Sequence, residues 1–159
     1  MKLLRGVNKA TVKISEWIMV IFALIMVLAC FAQICTRLAG VPLSWSEELA
    51  RYMAVWLTFV GAAYALRKGS LATVEILYNK LKGVSKKTLY ILISVLIFVF
   101  CVILIKYGFE FALKFMGQKS PALQIPKGVV YLCAPLSGLL MFLYQVEILV
   151  DEIGKEAEE

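Results

Sequence analysis

The chain contains no histidine. That excludes bis-histidine haem ligation, a histidine-based zinc site and a histidine-dependent nucleophilic triad built from this chain alone. Its cysteines, Cys30, Cys35, Cys101 and Cys133, form no Cys-x-x-Cys pair, so a redox dithiol of that spacing is also excluded. Cys30 and Cys35 point about 140° apart on a helix. Buried thiols behave as small hydrophobes, and all four read as structural filler. The middle of each long apolar run lacks charge of either sign. Transport sites usually show ionisable groups at mid-membrane or paired broken helices. No catalytic, substrate or metal site and no cofactor is therefore expected within this chain, and it does not read as an enzyme.

What is present is apolar surface. Of 159 residues, 62% are hydrophobic and the mean hydropathy is +0.85, above the roughly 45–50% apolar share of soluble domains. The fold class is an all-α integral membrane protein, one domain over residues 1–159. Its expected spans run over about 14–36, 47–67, 88–106 with a helical extension to 116, and 126–150. The first apolar run is nearer 20 residues than the 7–15 of a secretory signal, so it reads as a retained span. Between spans two and three, Leu71, Val74, Leu77, Tyr78 and Leu81 recur at helical spacing. Eleven residues cannot cross a bilayer, so this segment reads as a short amphipathic helix at the interface. Lys106, Glu110 and Lys114 form an i,i+4 series that reads as a solvated stripe. Pro126 suits a first helical turn, and Pro135 should kink or break the fourth span. Residues 151–159 form an acidic, frayed tail.

The net charge of +6 does not indicate nucleic acid, because the basic residues lie mainly between apolar runs, where they act as topological signals. Eleven of the 17 Lys and Arg fall on the side of the two termini and the Arg67–Lys87 segment, six on the other. Both termini are therefore expected in the cytoplasm.

The second span carries the candidate site residues. Ser44 and Glu47 fit a Ser-x-x-Glu capping box, with Glu47 and Glu48 in the positive first turn. Glu47, Glu48 and Arg51 fit two readings, a cap with an i,i+4 ion pair or a docking patch for a partner. Trp45 and Trp56 read as interfacial or lipid-facing aromatics, with subunit contact as the alternative. Gly61 and Ala65 place two small residues on one face where another helix could approach. Arg67 and Lys68 mark the cytoplasmic headgroup level and could meet membrane lipids. Glu16 and Glu147, at the start of span one and the end of span four, read as within reach of water. Glu16 is too close to the basic edge to be the deep carboxylate of a small multidrug exporter.

Three blocks carry a family resemblance: W-S-E-E-L-A-R-Y at 45–52, R-K-G-S-L-A-T-V-E-I-L at 67–77, and S-P-A-L-Q-I-P with V-Y-L-C-A-P-L at 120–136. In order and spacing the chain resembles the small membrane subunit of TRAP transporters, the DctQ-like proteins. The resemblance implies a bacterial inner-membrane subunit of a sodium-driven, three-part importer of an organic acid. It implies two protein partners, a large multi-span TRAP membrane subunit and a periplasmic substrate-binding protein. The small subunit would then be a scaffold for the large one. The alternative is a tetraspan scaffold in some other complex.

The Lys/Arg asymmetry yields a topology test. In intact cells with the native cysteines removed, single cysteines at Gly40 and at Gln118 are expected to react with an impermeant thiol reagent from outside. One at Ser85 is expected not to react. Labelling at Ser85 alone would invert the orientation.

Overall fold

The computed structural model describes residues 2–41, 43–68 and 84–156. The amphipathic helix expected over Leu71–Leu81 lies outside the described residues. Five helices follow in order: α1 (Lys2–Leu38), α2 (Ser44–Lys68), α3 (Val84–Lys114), α4 (Lys127–Tyr131) and α5 (Cys133–Glu156). No strand occurs among the described residues; Lys119 and Pro126 form an isolated bridge in the α3–α4 loop. Four stretches are long and apolar enough to cross a membrane: α1 from Thr11, α2, α3 from Ile91, and α4 with α5 to Val150.

The helices form an open row. α1 packs on α2, α2 on α5, and α5 on α3, with a lesser contact between α1 and α5; α3 touches neither α1 nor α2 among the described residues. The fourth span is thus the centre, with 39% of its apolar window buried against 6% for α1. One end of the row carries both termini (the terminal end). The other carries the α1–α2 turn and the α3–α4 loop (the loop end).

Local chemistry explains where the helices stop. At the end of α1, Gly40 adopts φ +77°, Val41 N–H bonds to Thr36 O at 3.0 Å and Gly40 N–H to Arg37 O at 3.1 Å. That pair of bonds is a Schellman cap, and it requires the left-handed residue that glycine supplies without strain. The fourth span breaks at Leu132 rather than at Pro135 itself. Proline lacks an N–H for the carbonyl four residues back, and its ring crowds that carbonyl; the carbonyl belongs to Tyr131, the last residue of α4. Pro126 is the residue preceding α4, not its first turn. Residues 151–156 continue α5, so the helix runs into the acidic tail as far as Glu156.

Small residues set how closely α3 approaches α4 and α5. A Cβ on Gly108 would come 2.9 Å from Pro135 Cδ, one on Gly138 would meet Ile105 and Leu104, and one on Gly128 would collide with the Ala112 carbonyl oxygen and Met116. Such close approach is how membrane helices gain packing energy where the hydrophobic effect gives none. Phe98 and Phe142 meet edge to face at 5.1 Å, and Gln145 Nε2 donates to Ser94 Oγ at 3.1 Å in the buried interior. Near the loop end, Phe111, Phe115 and Tyr131 cluster with centroids 4.5 to 5.4 Å apart. Cys101 and Cys133 are buried in this seam, whereas Cys30 and Cys35 are exposed; all four are free thiols. Across the row, the Ser15 and Tyr144 hydroxyls lie 3.5 Å apart, both buried.

Candidate functional site at the two ends of the second helix

The candidate residues on α2 separate into three levels. Trp45, Glu47, Glu48 and Arg51 lie at the loop end, Gly61 and Ala65 further along, Arg67 and Lys68 at the terminal end. Nineteen residues at 1.5 Å each separate Glu48 from Arg67, about 28 Å. That distance matches a hydrocarbon core of about 30 Å. They do not converge on one pocket.

At the loop end the two glutamates diverge. Glu47 is exposed and pairs with Arg51 at 3.4 Å, both side chains being about two-thirds in the open. The Ser44–Glu47 capping box does not form, because α2 already includes Ser44, which puts that residue in the first turn instead of the cap position. Ser46, fully buried, donates its hydroxyl to Leu43 O at 2.8 Å. Glu48 turns the other way. Its Oε2 accepts the backbone N–H groups of Ala122 at 2.9 Å and Leu123 at 2.8 Å, and its Oε1 accepts the Tyr52 hydroxyl at 2.6 Å. Charge-assisted bonds of this kind are the stronger ones. The loop they hold is itself folded: Ser120 N–H bonds to Ile125 O at 2.9 Å, and Gln124 takes φ +56° with its amide on Pro121 O. Glu48 therefore fastens the α3–α4 loop to the start of α2. Trp45, 41% exposed, stands beside this junction.

Gly61 faces α1, where a Cβ would come 3.7 Å from Met19 Sδ. Ala65, one turn on, is half-buried. Trp56 packs edge to face on Phe22 of α1 at 5.9 Å, so this ring is used inside the chain instead of facing lipid. An aromatic opposite a second aromatic gains packing that lipid tails cannot match in geometry.

At the terminal end, Arg67 Nη2 lies 3.1 Å from Glu147 Oε1 of α5. Glu147 is 5% exposed, which corrects the reading of it as a water-facing carboxylate: the α2 and α5 surfaces close over it. Arg67 Nε is buried without a hydrogen-bond partner. Glu16 of α1 accepts the Tyr64 hydroxyl at 2.7 Å and lies 3.9 Å from Lys68 Nζ, which also sits over the Tyr64 ring. Three helices thus meet through a layer of charged and phenolic groups. No group of three or more metal-ligating side chains gathers among the described residues.

Sequence reasoning did not anticipate Tyr52 and the Ala122–Leu123 amides as partners of Glu48, nor Glu147 as the partner of Arg67. The i,i+4 spacing of Glu48 and Tyr52 was a usable signal. The backbone amides left none.

Residues 26–154 match the family described as the DctQ component of tripartite ATP-independent periplasmic transporters. The chain belongs to that family. It is similar to the C4-dicarboxylate TRAP transporter small permease protein DctQ of Rhodobacter capsulatus, 30% identical over 67% of this chain and 48% of that protein. It is also similar to the sialic acid TRAP transporter small permease protein SiaQ of Vibrio cholerae, 28% identical over 72% of this chain and 67% of that one. A third relative, the isethionate TRAP transporter permease protein DctMQ of Oleidesulfovibrio alaskensis, is 26% identical over 70% of this chain but only 17% of its own length. The chain thus spans about half of the Rhodobacter relative and a small part of the DctMQ protein. It is a multi-pass membrane component of a transporter family, not an enzyme.

The Glu48 clamp gives a test. Glu48→Ala removes the acceptor of two backbone N–H groups and a phenol. It is expected to lower the unfolding temperature in detergent and to speed proteolysis within residues 118–126. Glu47→Ala breaks an exposed pair worth roughly 0–1 kcal/mol and is expected to change neither. Equal behaviour of the two variants would remove Glu48 from the clamp.

Proposed function

We propose that this chain is the small permease subunit of a sodium-driven TRAP importer of an organic acid, acting as a scaffold for the large transport subunit. It sits in the bacterial inner membrane with both termini in the cytoplasm. What supports the scaffold role is the placement of charge. The ion pairs between described residues lie in the two end layers of the row, Glu47–Arg51 at one and Arg67–Glu147 with Lys68–Glu16 at the other. The side-chain contacts next to the terminal-end layer are neutral, Ser94–Gln145 and Ser15–Tyr144. A coupled transporter moves ions or charged solutes through ionisable or unwound sites near mid-membrane, and the sodium and substrate sites are assigned to the partner.

The large partner is supported by the DctMQ relative, in which the segment similar to this chain occupies 17% of a longer permease. One polypeptide there joins such a segment to a much larger one. The names of the relatives vary in substrate, C4-dicarboxylate, sialic acid and isethionate. That variation suits a subunit that does not itself read the substrate. A periplasmic binding protein delivers the solute to the outer face, where the Glu48-fastened loop lies.

Reconstitution tests the division of labour. The purified chain alone is expected to move no organic acid under a sodium gradient. With the large subunit and binding protein added, uptake is expected to appear. Robust uptake by the small subunit alone would overturn the scaffold assignment.

A further inference from the structure

Helix α1 turns one face outward, and that face changes character where the helix leaves the apolar core. Val20, Leu24 and Phe31 lie within about 20° of Lys13 on the helix, and Trp17 within about 40°. All four are more than half exposed, and Lys13 is exposed with them. α2 and α5, the helices that α1 touches among the described residues, lie on the other side. Ser15, which meets Tyr144 of α5, stands about 160° from Lys13, and Phe22, which packs on Trp56 of α2, about 180°. The helix runs on to Lys2. Its register puts Lys2 about 20° and Lys9 about 40° from Lys13, with Arg5 about 80° away.

This charge has no counter-charge on the chain's own surface. Glu16 is the first acidic residue, and its carboxylate takes the Tyr64 hydroxyl at 2.7 Å and lies 3.9 Å from Lys68 Nζ, so it is turned to α2. No ion pair joins Lys13 to an acid among the described residues. The acidic end of α5 belongs to a helix that meets α1 on the Ser15 side. No acidic residue stands in the first turn of α1, where the helix dipole already disfavours positive charge.

Height sets this stripe among lipid headgroups. The Arg67–Glu147 pair marks the terminal-end boundary. Tyr144, three residues inside it on α5, meets Ser15, so Lys13 stands within about one turn of the boundary. Lys9 follows about 6 Å further out, in a headgroup layer about 5–7 Å deep. Helical side chains lean toward the helix N-terminus. On α1 that direction leads out of the core, so Lys13 reaches the headgroups without bending back. Trp17, one turn inside, has the place of an interfacial aromatic.

Four occupants differ in chemistry. Zwitterionic lipid has no net charge to match a basic stripe. An acidic soluble segment matches the charge but leaves Val20, Leu24 and Phe31 uncovered. A neighbouring helix packs best on small residues, and this face has none from Trp17 through Val20, Leu24 and Val27 to Phe31. Anionic phospholipid matches both halves, and basic clusters beside a span attract it. We propose that the outward face of α1 is a binding site for an anionic phospholipid, its phosphate at Lys13 and Lys9 and an acyl chain along Trp17, Val20, Leu24 and Phe31. The site requires neither the large subunit nor a particular orientation of the termini.

The test uses the full chain carrying Trp45→Phe and Trp56→Phe, so that Trp17 alone fluoresces, in phosphatidylcholine bilayers. Phosphatidylglycerol brominated on its acyl chains is expected to associate with Trp17, read as quenching, about fivefold more strongly than brominated phosphatidylcholine, the selectivity of one lysine near an anionic surface. Lys9→Gln with Lys13→Gln is expected to remove most of that preference, and Lys9→Arg with Lys13→Arg to keep it. The unfolding temperature is expected to stay unchanged in both, since this face touches nothing in the row. Equal quenching by the two lipids in the parent chain, or a preference untouched by the glutamine changes, would overturn the site. A photo-crosslinking residue at Leu24, in the chain co-expressed with its large subunit, is expected to form adducts with lipid. An adduct with a protein chain would give the face to a neighbour and overturn the site as well.

Discussion

The row of helices depends on one ion pair, Arg67 with Glu147. Burying charge in a membrane protein costs several kcal/mol per ion unless the partner is close and well placed. Here the contact is 3.1 Å and Glu147 is closed off from solvent. The pair fixes which turn of α2 faces which turn of α5, and the rest takes its register from there. Lys68 and Tyr64, on the adjoining turn of α2, reach Glu16 and so place α1. About 28 Å away along α2, Glu48 takes the Ala122 and Leu123 amides, and α2 is held to the α3–α5 hairpin at both ends.

An open row has consequences that a closed bundle lacks. α5 is enclosed, whereas α1 and α3 each leave a long face outside. A solitary membrane protein would leave such faces to lipid. A subunit leaves them for its neighbour, and the two edges here are not equivalent. The outward residues of α1 from Ile14 to Phe31 are apolar, large and exposed, suited to lipid. The outward stripe of α3 carries Lys106, Glu110 and Lys114, all exposed, toward the loop end. Behind it Gly108 and Gly138 let α3 and α5 approach closely, and Gly128 does the same for α3 and α4.

The four spans were legible because bilayer crossing demands about 20 apolar residues with every backbone group satisfied inside the helix. That constraint writes itself into composition. The site was less so. Ser44 and Glu47 have the spacing of a capping box, but whether a residue is the cap or the first turn depends on the chain before it, which spacing does not encode. Glu147 looked like a water-facing carboxylate because it stands near the end of the fourth span; only the packing of α2 against α5 encloses it. The partners of Glu48 are backbone amides, which every residue has, so no pattern of side chains could point to them. Pro135 announced a break in the fourth span, and the break came at Leu132, at the end of the reach of the missing N–H.

A double-mutant cycle on Arg67 and Glu147 tests most directly whether this pair holds the row. Unfolding of Arg67→Leu, Glu147→Leu and the double variant would be followed in one detergent, with wild type as reference. Each single change removes one member of a close, largely buried ion pair and is expected to destabilise by about 3–5 kcal/mol. The double variant is expected to recover most of that loss, since it leaves neither charge of this pair without the other. Single variants within about 0.5 kcal/mol of wild type, the range of an ordinary surface change, would contradict the account.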